Sequence, residues 1–98
     1  MAIERIETDT LIRLVISGPV EMHSIRELRD AFNRIHDEPG KDVELDMGDV
    51  QYVDSSGIGQ LIMLYKTQKD KDKTLKIINP TPRVLSLLQL SSLADILE

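Results

Sequence analysis

The sequence predicts a small α/β fold: a mixed, mostly parallel sheet that opens with an antiparallel hairpin and packs about three helices. Three observations predict it. Short runs are β-branched or alternate apolar with polar residues, longer stretches between them carry apolar residues three and four apart, and Gly, Pro, Asp and Thr gather at the joints.

Taken in order, Ile3 to Glu7 alternates apolar with charged residues and Leu11 to Ser17 is a β-branched run. Thr8-Asp9-Thr10 between them suits a tight turn, so the two runs form a hairpin. Gly18-Pro19 ends the second strand. Ile25, Leu28, Phe32 and Ile35 then recur at helical spacing, which predicts a first helix over about 24 to 37 with Ser24 placed to cap it. Pro39-Gly40 breaks the chain. Val43, Leu45 and Met47 alternate with Glu44 and Asp46 as a third strand, and a loop runs from Gly48 to Asp54. Ile58, Leu61, Ile62 and Tyr65 predict a second helix that starts near Ser55 and reaches about Lys69. Leu75 to Ile78 is a short fourth strand. Thr81-Pro82 supplies a cap and a proline at the first helical position of a third helix, with Val84, Leu85, Leu87 and Leu88 on its apolar side. Ile96-Leu97 begins a last extended piece.

Strands joined through single helices lie parallel by right-handed crossovers, which leaves only the first pair antiparallel. Loops that carry function gather at the carboxyl ends of such parallel strands, where the segment from Gly48 to Gly59 falls. Met47, Met63 and the leucines from Leu85 to Leu93 sit at core spacing. Ile58 and Met63, near the start of the second helix, are also placed to border an apolar patch for a partner.

Composition narrows the function. At 98 residues the chain is read as one domain over 1–98, without internal repeats. A net charge of -5 argues against a phosphate backbone as partner, and the lysines from Lys66 to Lys73 alternate with aspartates as on a solvated helix end. With only Phe32, Tyr52 and Tyr65 as aromatics, there is little to stack on bases. The absence of cysteine excludes disulfides, thiolate metal sites and thiol catalysis. A metal site needs several convergent donors and His36 is the one other histidine beside His23, so no metal and no cofactor are expected. Glu4, Arg5 and Glu7 interrupt the apolar residues of the N-terminus, so neither a signal peptide nor membrane insertion is expected, and the chain is read as cytoplasmic.

Asp54-Ser55-Ser56-Gly57-Ile58-Gly59 is the stretch whose composition packing alone does not explain. It follows a strand and opens a helix, where unpaired backbone N–H groups and the macrodipole favour negative charge. A serine there is a natural cap, and a phosphoserine there could be held by the same amides. Gly57 and Gly59 let another backbone approach closely. The structural alternative is an ordinary helix start, for which such residues are common. A lone Gly-X-Gly lacks the third glycine of a dinucleotide fingerprint and the Gly-Lys-Ser/Thr ending of a phosphate-binding loop.

The run from Leu45 through Asp49 and Asp54-Ser55-Ser56-Gly57-Ile58-Gly59 resembles the signature of the STAS family, specifically the bacterial anti-sigma factor antagonists. A second run, Ile78 to Leu85 followed by Leu90 to Ile96, is similar to the family's third helix and the strand after it. The resemblance implies a non-enzymatic protein whose unphosphorylated form binds a serine-kinase anti-sigma factor or a related switch kinase. Phosphorylation on the serine after the aspartate, here Ser55 with Ser56 as fallback, ends the binding, and a PP2C-type serine phosphatase restores it. It also implies a partner surface of Glu21, Asp49, Asp54, Ser56, Gly57, Ile58, Gly59 and Met63 on a monomer. Family members carry an aspartate in the loop after the second strand, where this chain has Glu21 in Gly18-Pro-Val-Glu21. Competing classes are a nucleotide or small-ligand STAS module and a STAS subunit of a transport or structural complex. An enzyme is disfavoured because no Ser/His/Asp grouping or metal spacing is readable.

Overall fold

The computed structural model describes residues 1–90, Leu93 and Ile96. The elements follow the predicted order: β1 (Ala2–Glu7), β2 (Leu11–Ser17), α1 (Ile25–Asp37), β3 (Asp42–Asp49), α2 (Ser55–Asp70), β4 (Leu75–Ile78) and α3 (Pro82–Gln89). The sheet runs β1-β2-β3-β4, antiparallel in its first pair and parallel in the other two. Consecutive right-handed crossovers that step in one direction put their helices on the same side of a sheet. Ile12, Leu14 and Ile16 of β2, Val43, Leu45 and Met47 of β3, and Leu75 and Ile77 of β4 are accordingly buried under the helices with Leu28, Phe32, Leu61 and Leu64. The intervening residues face outward, and there Arg13 of β2 pairs with Glu44 of β3 at 2.8 Å.

The turn between β1 and β2 is closed by the Thr8 N–H on Leu11 O at 2.8 Å and by the Leu11 N–H on Thr8 Oγ1 at 3.1 Å. Gly18 ends β2 at φ 94, a left-handed conformation that glycine adopts without strain. Thr81 caps α3, its Oγ1 accepting the Val84 N–H, with Pro82 in the first helical position. The same hydroxyl donates to Val50 O at 2.9 Å and so fastens α3 to the loop after β3.

Four expectations change. Ser24 occupies the N-cap position of α1 but makes no capping bond; its hydroxyl donates to Pro19 O at 2.8 Å and braces the preceding loop instead. β3 continues to Asp49, two residues past Met47, through a register shift against β2 between Val15 and Ser17. Ile96 lies in a turn, its N–H on Leu93 O at 3.1 Å, rather than in an extended piece, and Leu97 lies outside the described residues. The apolar side of α3 is narrower than its leucines suggest: Val84 and Leu88 are buried, Leu85 and Leu87 half-buried, and Leu90 stands exposed. The strand read after the third helix otherwise falls on residues outside those described.

At the end of the molecule away from the Ser55 segment, polar groups replace apolar packing. The Lys71 ammonium donates to the carbonyls of Ile35, His36 and Glu38, at 2.8, 3.1 and 2.8 Å, neutralising the orphaned C-terminal carbonyls of α1. The buried Gln68 amide donates to Lys41 O and Thr74 O. His36 Nδ1 lies 2.7 Å from Thr67 Oγ1, and its Nε2 is buried without a partner. Burial, and then the Lys71 charge, hold the His36 imidazole below its ordinary value, against a weaker pull from Asp37.

Two outcomes are expected here. Lys71→Met leaves part-buried carbonyls unpaired and destabilises the fold by about 1 to 3 kcal/mol in urea denaturation. Because the folded state resists protonating His36, the stability it confers is complete above the ordinary histidine value of 6.5 and falls away as pH drops through the lowered folded value. Urea midpoints measured from about pH 7.5 to about pH 5 therefore decline, and His36→Asn flattens the decline.

Candidate functional site

The carboxyl ends of the parallel strands β2 and β3 deliver two loops to one place. Backbone bonds zip them together: Gly18 N–H to Asp49 O at 3.0 Å, Val20 N–H to Tyr52 O at 2.8 Å, and Asp54 N–H to Val20 O at 2.9 Å. Val20 and Val53 thus form an isolated parallel bridge beyond the sheet.

Asp54 stands at the N-cap of α2 in extended conformation. Its Oδ1 accepts from Ser56 N–H at 3.0 Å, Ser56 Oγ at 2.5 Å and Gly57 N–H at 3.1 Å. Its Oδ2 reaches across to the Met22 N–H in the other loop at 3.0 Å. The Ser56 hydroxyl first, then the Gly57, Met22 and Ser56 amides, hold this carboxyl below the ordinary aspartate range against an opposing contribution from burial. Two of the N-terminal amides of α2 that a phosphate was expected to use, those of Ser56 and Gly57, are therefore already taken by Asp54.

Ser55 is the first residue of α2 and is exposed, and its hydroxyl makes no hydrogen bond among the described residues. Four residues on along the helix comes Gly59, also exposed, where a Cβ would meet nothing within 4 Å. Four further comes Met63, 53% exposed. Residues at this spacing share one helix face, so Ser55, Gly59 and Met63 make an open stripe. Met63 is thereby a surface residue and not a core one, because Leu61 and Leu64 take the inward positions.

The remaining expected site residues separate by environment. Asp49 is exposed at the end of β3, and Glu21 is half-buried in the loop after β2; neither carboxylate has a partner among the described residues. Ile58 is half-buried and leans on the core. Gly57 is buried: a Cβ there would come within 2.6 Å of Val20 Cγ1 and 2.7 Å of Val53 Cγ1. Its lack of a side chain serves the chain's own packing, and the close approach expected from outside is available at Gly59 alone. His23 lies exposed in the loop, and no group of acidic or histidine side chains suited to a metal occurs among the described residues.

Two neighbours were not singled out in the sequence. Met22 is 73% exposed, a large apolar side chain on the very residue whose N–H meets Asp54. Tyr52, at the edge of the second loop, lies under the Arg83 guanidinium, 5.2 Å from its ring centroid. The readable signal for Met22 was an apolar residue between Glu21 and His23 in the loop; for Arg83 there was none, since the pairing joins distant segments.

A buried bridge of two loops, an acidic helix cap and an exposed serine hydroxyl on an open helix stripe thus meet at one end of a small mixed α/β domain. The comparisons identify the family of that domain. A family model described as Mlab, STAS domain, matches residues 5–98, and the chain belongs to the STAS domain family. The anti-sigma-B factor antagonist of Staphylococcus epidermidis is 26% identical over 97% of this chain and 88% of its own length. Among solved structures, the anti-sigma factor antagonist SpoIIAA in its unphosphorylated form superposes with a TM-score of 0.85 at 18% identity, covering 99% of this chain and 86% of that one. The Bacillus cell fate determinant SpoIIAA in the phosphorylated form gives 0.80 at 16% identity, covering 99% and 89%. The resemblance read in the sequence and the small mixed α/β fold it implied are both borne out. The names of these relatives are those of antagonists of anti-sigma factors, regulatory proteins rather than enzymes.

Gly57→Ala tests the local packing. Val20 and Val53 are β-branched and stiff, so the added methyl forces the two loops apart at a cost of about 1 to 3 kcal/mol, read as a lower urea midpoint. Gly59→Ala, with open space around it, leaves the midpoint unchanged or raised.

Proposed function

We propose that this chain is a phosphorylation-switched anti-sigma factor antagonist. Unphosphorylated, it binds a serine-kinase anti-sigma factor or a related switch kinase; phosphate on Ser55 abolishes the binding and a PP2C-type serine phosphatase restores it. It works as a monomeric, non-enzymatic module of the cytoplasm. In keeping with that setting, no described helix is long and apolar enough to cross a membrane.

One observation carries the reading: the Ser55 hydroxyl is exposed and makes no hydrogen bond among the described residues, while the neighbouring Ser56 hydroxyl is held by Asp54. A kinase can take Ser55 without breaking any contact of the fold, whereas Ser56 must first surrender its bond to the cap. The same geometry explains why phosphate would end binding. It would add about 1.5 to 2 negative charges beside an ionised Asp54 whose carboxylate already occupies the Ser56 and Gly57 amides, so the new charge meets a like charge where those donors would have been. A partner matched to a neutral hydroxyl meets repulsion and desolvation instead. The docking surface consists of Glu21, Asp49, Ser56, Ile58, Gly59 and Met63, now joined by Met22, with Asp54 and Gly57 shaping it from beneath.

Kinase, ATP and phosphopeptide mapping test the site: a single phosphate on Ser55, absent in Ser55→Ala, is the expected result, and continued phosphorylation of Ser55→Ala would move the assignment to Ser56. In calorimetry Ser55→Ala keeps kinase binding and Ser55→Asp weakens it on the order of a hundredfold; equal affinities would refute the electrostatic account. A pull-down that returned transporter subunits and no kinase would favour the transport-complex role instead.

A further inference from the structure

A second concavity lies between β1 and α1, apart from the Ser55 segment. It is an open cleft of about 320 Å³, within the low end of the range for small-molecule sites. Its apolar lining is Ile3, Leu14 and Ala31, with Leu14 fully buried and the other two half-buried. It exists because the edge strand β1 is only partly covered: α1 packs chiefly on α2 and reaches β1 with its other flank.

The charged lining is sorted along α1. Glu27 and Asp30 stand toward the start of the helix and Arg34 one turn further on, all exposed and none in an ion pair among the described residues. Arg5 joins Arg34 from β1. Its Nε and Nη2 are engaged by Glu7 and Glu38, which leaves Nη1 without a partner among the described residues. The cleft thus has an acidic end, an apolar middle and a basic end. A simple anion would meet Glu27 and Asp30, and a simple cation would meet Arg34, the Arg5 charge being already balanced by Glu7 and Glu38. A molecule that carries both charges, with an apolar body between them, satisfies all the groups.

Spacing selects its size. At 1.5 Å per residue the acidic pair lies roughly 6 to 10 Å along the helix from Arg34. A free α-amino acid has both charges on one carbon and cannot span this. A dipeptide, at about 3.5 Å per residue, places its ammonium and carboxylate about 7 Å apart. We propose that the cleft between β1 and α1 is a binding site for an apolar dipeptide, its ammonium toward Glu27 and Asp30, its carboxylate toward Arg34 and Arg5, and its side chains on Ile3, Leu14 and Ala31. Because both free termini are read within one ligand, an internal peptide segment of a protein does not fit.

The test is an amide NMR titration of the full chain with alanyl-leucine, and with the same dipeptide acetylated at its amine and amidated at its carboxyl. Saturable shifts centred on Ile3, Ala31 and Arg34 are expected, with a dissociation constant of about 1 mM or tighter. The blocked dipeptide and the variants Arg34→Ala and Asp30→Asn each bind at least about tenfold more weakly, while the spectra of the variants remain those of the folded chain. Absence of saturable shifts, shifts centred elsewhere, equal binding of the blocked dipeptide, or indifference to both variants would each overturn the proposal. None of these outcomes bears on Ser55, which lies on another element.

Discussion

The arrangement of the loops at the carboxyl ends of β2 and β3 depends on one carboxylate. Four hydrogen bonds converge on Asp54, three from the first turn of its own helix and one from the loop after the other parallel strand. An ionised acceptor at a helix start relieves orphaned amides and meets the favourable end of the dipole together. Because Oδ2 points to Met22, the same group also fixes how the two loops stand to each other. The Val20–Val53 bridge and the buried Gly57 then allow the helix start to press directly on that junction.

This division of labour separates holding from display. Asp54, Ser56 and Gly57 are consumed by internal contacts, and the Ser55 hydroxyl is left without a hydrogen bond among the described residues. In the proposed switch, a hydroxyl that makes no hydrogen bond among the described residues can be modified and restored without breaking a bond of the fold, and the added charge stays at the surface. The fold supplies rigidity from behind, through an aliphatic core that includes Leu45, Met47 and Leu61, and from the side, where Thr81 joins α3 to Val50. At the far end of α2 the polar cluster around Lys71 and Gln68 anchors the helix on α1 and on the strand that follows. Helix α2 is therefore secured at both ends by polar contacts and along its length by apolar ones.

Much of this was legible in the chain itself. Period-two runs such as Val43-Glu44-Leu45-Asp46-Met47 and helical-period runs such as Ile25, Leu28, Phe32 and Ile35 report directly on which side of an element is buried, so element order and sheet direction followed from them. The start of α2 at Ser55 was legible too, since capping is a local matter of residues a few positions apart. Ser24 shows the limit of such reasoning: a good capping residue in the right place spent its hydroxyl on Pro19, because a bond to a loop carbonyl competed with the bond to the helix. Met63 shows another, as hydrophobicity alone does not say which of two helix faces meets the core.

Residue types and short-range spacing determined, on their own, the elements, their order and the serine pair at the head of the second helix, because those features depend on contacts within a turn or two of chain. Only the tertiary structure decided that Asp54 reaches Met22, that Gly57 is filled by Val20 and Val53, and that Ser55 rather than Ser56 keeps its hydroxyl free. The first two rest on groups more than thirty positions apart, Asp54 with Met22 and Gly57 with Val20, being brought within bonding or van der Waals distance, and Ser56 is claimed locally by the same cap. Local periodicity carries no record of such distances.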